Sequence, residues 1–273
     1  MQEEIIGEKI HEKIIPAVLR ANHIKGFESF RKTGQGAVVG KTVELTAINK
    51  GGTEFPIELS LSAVKIDGKW NSIGIIRDIH ERKQAEVQIK QGIDKLNATL
   101  NGTITALSAT VEQRDPYTAG HQRRVSQLAC VIADEMGLSN DQIEGLKMAG
   151  IVHDIGKMHI PTEILSRPGK LTKDEFNIVK SHTQVGYDIL KGIEFPWPVA
   201  DIVHQHHEHM DGSGYPMGLS NGDILMEARI LCVTDVVEAM ASHRPYRPAL
   251  GMDTALGEIS RSKGIHYDSA VVD

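Results

Sequence analysis

Two doublets of metal-binding side chains, His153-Asp154 and His206-His207, constrain this chain more than any other feature. They stand in H-D-I-G-K (His153 to Lys157) and H-H-E-H-M-D-G-S-G-Y-P (His206 to Pro216), roughly fifty residues apart. Neutral imidazoles and carboxylates hold borderline and hard divalent cations. Pairs so far apart in sequence share a metal only where the fold brings two helices together around it. The glycine-rich stretch after the second pair reads as a loop placed to admit a substrate.

The surrounding pattern agrees with helices meeting at a centre. From Asp115 onward, apolar residues recur at helical spacing in Val125–Met136, Ile143–Val152, Phe176–Leu190 and Val199–His206. Breaks fall at Pro161, Pro168-Gly169, Pro196 to Pro198, Gly212 to Pro216 and Pro245 to Pro248. Thr172 and Glu175 have the spacing of a capping box. His121 and His182 add imidazoles on successive predicted helices. Asp235, in LCVTDVVEAM, is a carboxylate among apolar residues, and a buried carboxylate requires a metal or a strong partner. Lys157 lies one turn beyond His153, so its ammonium is expected to face the same cluster and meet a phosphate oxygen. Glu208 is expected to orient His206 or His207. Mixed imidazole and carboxylate suit iron, manganese or zinc. A centre of two such ions activates water and clamps both oxygens of a displacement at phosphorus.

The first 80 residues read differently. Ile10 to Gly34 has helical apolar spacing; Val43 to Asn49, Phe55 to Ile66 and Trp70 to Ile79 read as strands joined by Lys50-Gly51-Gly52 and Asp67-Gly68-Lys69 turns. Between the two parts, Ile89, Ile93, Leu96, Leu100, Ile104, Leu107 and Val111 form a heptad seam with one stutter. That narrow seam predicts one long helix over 81–111, pairing with its copy in a parallel coiled-coil homodimer.

Net charge is −6 with pI about 6.1, which gives no basic footprint for duplex nucleic acid. Cys130 and Cys232 sit in apolar runs and read as small buried residues, not a disulfide. No apolar run is long enough to span a bilayer, and the acidic N-terminus is no signal peptide, so a cytoplasmic location is expected.

From about Glu112 onward the chain resembles the HD-GYP family, bacterial HD-domain phosphohydrolases that cleave cyclic di-GMP. The resemblance is carried by His153-Asp154-Ile155-Gly156-Lys157, Ile160-Pro161, Gly169-Lys170-Leu171, His182, His206-His207-Glu208, Asp211-Gly212, Gly214-Tyr215-Pro216, Gly218-Leu219, Asp235 and Arg244-Pro245-Tyr246-Arg247. It implies a mainly α chain: an all-helical HD-type hydrolase domain over 112–273, behind the linker helix. It implies His153, Asp154, His182, His206, His207 and Asp235 as ligands, with His121 added where a third metal binds. Asp154 and Lys157 become the catalytic pair, with Lys157 at the scissile phosphate. Tyr215, Arg244 and Arg247 would hold the dinucleotide, and Glu238 stands with them, where the family usually has Asp. Tyr117 occupies a position where a carboxylate would help a third metal, so two metals are expected. Gly264, His266, Tyr267 and Asp268 resemble the start of a closing helix, expected to be cut short. Proteins of the GGDEF type are the partners implied.

Residues 1–80 resemble the second half of a PAS sensor domain, through Gly52-Thr53-Glu54-Phe55-Pro56-Ile57-Glu58-Leu59, Asp67-Gly68 and Arg77-Asp78-Ile79. Gly51 to Phe55 is similar to the GGDEF signature of diguanylate cyclases, but Thr53 replaces its acidic residue and the surrounding length is too short. His23 matches the haem-histidine position of oxygen-sensing PAS domains; with part of that pocket absent, haem is not expected. The expected activity is hydrolysis of cyclic di-GMP to linear pGpG, with further cleavage to GMP left open, under control of the PAS half. The alternatives are a non-cleaving cyclic dinucleotide or protein effector of the same fold, and an HD hydrolase of another nucleotide. The complete ligand set favours the enzyme.

Overall fold

The computed structural model describes residues 6–114, 120–167, 169–242 and 249–273. Arg244 and Arg247, expected at the substrate, and Tyr117 lie outside the described residues. The chain divides into two units, Met1–Asn97 and Ala98–Asp273.

In the first unit a short helix α1 (Ile10–Lys13) and a longer α2 (Ala17–Thr33) precede three strands, β1 (Thr42–Ile48), β2 (Glu54–Ile66) and β3 (Lys69–Asp78). The helical spacing over Ile10 to Gly34 is therefore split in two, at Pro16. Proline lacks the amide that would continue a helix, and it takes the N-cap of α2 instead. The strands form an antiparallel meander in the order β1-β2-β3, with Thr42 opposite Ser60 and Ile57 opposite Asp78. Phe30 of α2, Ala47 of β1, Ile57 of β2 and Ile79 after β3 are buried in this unit.

Helix α3 (His80–Glu112) is unbroken, close to the expected span. Its seam residues differ in burial. Ile89, Ile93, Leu96 and Leu100 are exposed, whereas Ile104 packs on the core of the second unit and Val111 is buried in it. Ser108 Oγ donates to the Ile151 carbonyl at 2.6 Å, which ties this end of α3 to that core.

The second unit continues with α4 (His121–Glu135), α5 (Asn140–Val152), a 3₁₀ turn over Ile155–His159, α6 (Thr162–Leu165), α7 (Lys173–Lys180), α8 (His182–Leu190), α9 (Val199–Gln205), a 3₁₀ turn over Asn221–Asp223, α10 (Met226–Ala241), α11 (Met252–Arg261) and α12 (Ser269–Val272). The capping box at Thr172 and Glu175 is formed at the start of α7. The expected single helix over Phe176–Leu190 is two, because the chain turns at Ser181 and starts again at His182. Helix α10 is apolar nearly all round, with Ile230, Leu231, Cys232, Val233 and Val237 buried, so it takes the centre of the unit. α4, α5, α9 and α11 pack on it. Arg229 pairs with Asp268 at 2.8 Å and holds the C-terminal segment on α10. Asp268 caps α12 by accepting from the Ala270 amide. Cys130 and Cys232 are free thiols; Cys232 is buried as expected, whereas Cys130 is only half-buried.

Candidate metal centre

The expected ligands do not lie along helix faces. They lie at helix ends, which converge on one buried place. α5 stops at Val152, His153 is its C-cap, and Asp154 leads into the 3₁₀ turn. His206 is likewise the C-cap of α9, and His182 follows α7 and opens α8. His121 opens α4, and only Asp235 stands within a helix, α10.

A helix leaves its last four carbonyls without intrahelical partners. Three of the histidines use them. His153 Nδ1 meets the Gly150 carbonyl at 2.8 Å, His206 Nδ1 that of Val203 at 2.6 Å, and His182 Nδ1 that of Val179 at 2.7 Å. A carbonyl only accepts, so each Nδ1 carries the proton and each Nε2 is left bare. The bond that closes the helix therefore fixes the tautomer and aim of each ring, as it would for a metal-bound imidazole.

The bare nitrogens and carboxylates meet within a few ångströms. His182 Nε2 lies 3.4 Å from His206 Nε2 and 3.7 Å from Asp154 Oδ1. His153 Nε2 lies 3.4 Å from Asp154 Oδ2 and 3.8 Å from Asp235 Oδ1. His121 Nε2 lies 3.1 Å from Asp235 Oδ1. Three overlapping groups are compact enough to hold a cation: His182, His206 and His207; His121, His153 and Asp235; and His153, Asp154 and His206. His153 Nε2 is buried and has no hydrogen-bond partner. An orphaned buried nitrogen aimed at carboxylates fits a metal ligand.

Electrostatics prepare the same donors. Burial, reinforced by His182, pushes the His207 imidazole down to about 3. Burial also lowers His182, and burial with His207, His153 and His182 lowers His206 well below the ordinary value. These rings are neutral at pH 7, as ligation requires. Burial opposes the charge of Asp154, but Lys157, His153 and His182 overcome it and hold the carboxyl well below its usual range. Asp235 is held down in the same way, against burial, by its bond to His121. His121 is the exception. Burial opposes its charge, yet hydrogen bonds to Asp235 and Glu238 raise it to about 9. As a ligand it would have to give up that proton.

Lys157 Nζ donates to Asp154 Oδ2 at 2.7 Å, so its ammonium does face the cluster. Tyr215 stacks on His207 with ring centroids 4.8 Å apart, and Lys180 Nζ lies 5.0 Å from the Tyr215 ring centroid. Two glycines make these approaches possible. A Cβ on Gly156 would stand 2.0 Å from the His182 carbonyl oxygen, and one on Gly214 would stand 2.4 Å from the His209 nitrogen.

One acidic residue departs from expectation. Glu208 does not orient an imidazole. Its buried carboxylate accepts the amides of Met217 at 2.7 Å, Gly218 at 3.1 Å and Leu219 at 3.0 Å, and so pins the loop beyond Tyr215. Glu238, expected at the substrate, engages His121, Arg124 at 2.7 Å and Ser242 at 2.6 Å. The Arg124 and Lys180 contacts have no signature in the local sequence pattern.

The HD-domain family profile matches residues 105–271, the part of the chain that carries this centre. A cyclic di-GMP phosphodiesterase response regulator of Xanthomonas campestris pv. campestris is 42% identical over 173 residues, 63% of this chain and 46% of that protein. A cyclic di-GMP phosphodiesterase of Thermotoga maritima is 41% identical over 169 residues, covering 61% of this chain and 46% of its own. A 3′3′-cGAMP-specific phosphodiesterase of Vibrio cholerae is 36% identical over 160 residues, 59% of this chain and 35% of that protein. The chain thus spans less than half the length of these relatives. On the extent of the matched profile, this chain belongs to the HD-domain family.

Proposed function

We propose that this chain is a phosphodiesterase of the HD-GYP branch that uses two divalent metals to open cyclic di-GMP to linear pGpG. The observation that carries this reading is the placement of Asp154. Its Oδ1 faces His182 while its Oδ2 faces His153 and Lys157, so one carboxylate spans two groups of imidazoles, as a bridge between two cations requires. The names of the relatives from Xanthomonas and Thermotoga support the substrate, and the sequence from Gly212 to Pro216 supports the branch.

His182, His206 and His207 would hold one ion, and His153 with Asp235 the other, with Asp154 shared; His121, beside Asp235, would join only where a third ion binds. Bound there, divalent ions supply Lewis acidity toward a phosphoryl oxygen and make a nucleophile of water near neutral pH. The chain supplies the rest. Lys157 holds Asp154 and offers an ammonium to a phosphate oxygen. Tyr215 presents an aromatic face for a guanine, braced on one side by His207. Glu208 keeps the loop carrying Tyr215 in place. Water adds at phosphorus, and the ester oxygen leaves as the 3′-hydroxyl of one guanosine.

Regulation belongs to the same proposal. The meander of the first unit supports a PAS-like sensor, and the exposed seam of α3 supports a parallel coiled-coil dimer that carries its signal. The test is anaerobic purification with metal analysis and turnover of cyclic di-GMP, with 3′3′-cGAMP offered beside it and Asp154→Ala as control. Hydrolysis of cyclic di-GMP that falls at least about a hundredfold in Asp154→Ala is expected, since even outer partners of a metal site are worth 10- to 100-fold. No hydrolysis under any metal loading would sink the enzyme, and a preference for 3′3′-cGAMP would change the substrate.

A further inference from the structure

Apart from the buried centre, another group of side chains able to ligate a metal begins just beyond the second doublet in the chain. His209, Asp211 and His266 each offer a ligand atom, and these atoms lie within 4.8 Å of one another. We propose that they form a separate site for Zn²⁺ or a similar borderline divalent transition metal, and that the ion clamps the Tyr215 loop to the C-terminal segment.

The backbone already joins the two segments. The Met210 amide donates to the His266 carbonyl at 3.0 Å, which places the three side chains beside one another. Asp211 is aimed: its Oδ1 accepts the Ser213 amide at 2.9 Å, while its Oδ2 points at His266 Nε2, 3.7 Å away. The His209 and His266 rings stack with centroids 4.5 Å apart and planes 16° from parallel. His209 Nδ1 contacts Ser213 Oγ at 3.0 Å. With the proton on Nδ1, that bond leaves Nε2 bare, the arrangement usual for a metal-bound imidazole. In a tetrahedral zinc site with bonds of about 2.0–2.1 Å, donor atoms stand about 3.3–3.4 Å apart. Contraction from 4.8 Å is a matter of side-chain rotation, and Asp211 and His266 are exposed enough to rotate, at 36% and 38% side-chain exposure. Two imidazoles and one carboxylate leave a fourth position for water, and this donor set suits zinc, nickel or copper above magnesium or calcium.

The test is equilibrium dialysis of the metal-stripped full chain against Zn²⁺, with bound zinc counted by elemental analysis. His266→Gln and His209→Arg should each bind one equivalent fewer than the unaltered chain. Asp154→Ala should keep that equivalent, and adding His266→Gln to it should remove it. Zinc should also slow amide exchange over 207–216 in Asp154→Ala but not in the double variant. Equal zinc counts in the unaltered chain and both histidine variants would overturn the site. So would unchanged exchange over 207–216. Should His266→Gln fail to fold by circular dichroism, His209→Arg decides. No readout involves turnover, so failure of the phosphodiesterase reading leaves this inference standing.

Discussion

His153, His182 and His206 each do two jobs with one ring. Nδ1 closes the last turn of a helix, and Nε2 is left toward the centre, where the proposal puts a cation. Removing such a ring therefore acts in two ways. His153→Ala is expected to lower metal content and also to destabilise the metal-free protein by about 1–3 kcal/mol, because the buried Gly150 carbonyl loses its partner. Urea unfolding of the stripped proteins would show it; equal stability would refute the capping role. Glu208 is a purer structural case. Its buried carboxylate accepts three amides, and charge-assisted bonds of this kind are individually strong. Glu208→Ala should cost on the order of 3 kcal/mol and expose residues 209–219 to limited proteolysis. A cleavage pattern identical to the unaltered chain would count against it.

At the scale of elements, the centre depends on how closely the 3₁₀ turn after α5 seats against the start of α8. Gly156 sets that distance, since any Cβ there would strike the His182 backbone. Gly156→Ala is expected to lose about 3 kcal/mol or more, as overpacking against backbone does not relax cheaply. It should also lower metal occupancy, because His182 must move. A thermal melt and metal analysis on the same preparation would check both, and normal values in both would show that the turn yields. Helix α3 poses the opposite situation. Its C-terminal part is anchored by Ile104, Val111 and Ser108, while Ile89, Ile93, Leu96 and Leu100 remain exposed. A narrow apolar stripe at heptad spacing is suited to a copy of itself.

For the molecule as a whole, that stripe predicts assembly and control. Leu96→Glu with Leu100→Glu should convert a dimer to a monomer in sedimentation equilibrium, with the HD unit still folded. A dimer that persists would place the interface elsewhere. Insertions of one to four residues near Leu96 rotate the C-terminal part of the helix by about 100° per residue. Turnover should therefore vary with insert length and recover partly at four residues, where the seam returns close to register. Flat turnover across the series would rule out transmission through α3.

The site residues were legible because metal chemistry admits few side chains, and His153-Asp154 and His206-His207 are uncommon doublets. Their roles as ligands remain part of the proposal, but the fold does bring them together with His121, His182 and Asp235. Elements set by local rules were legible too, including the capping box at Thr172, the turns flanking β2 and the long α3. The short-range pattern could not say that the helices end at the centre, since apolar spacing over Phe176–Leu190 continues through Ser181. Nor could it assign Glu208 or show the protein partners of Glu238. Both are acidic residues beside a metal motif, and what each does depends on partners reached only in three dimensions. His121 is 117 residues from Glu238 in sequence. Sequence by itself determined the donor chemistry and the helical character of the chain, because these follow from side-chain type and local periodicity. Tertiary structure alone decided which atoms are spent on holding the scaffold and which are left for a cation. That division depends on which buried polar groups find each other once the chain has packed.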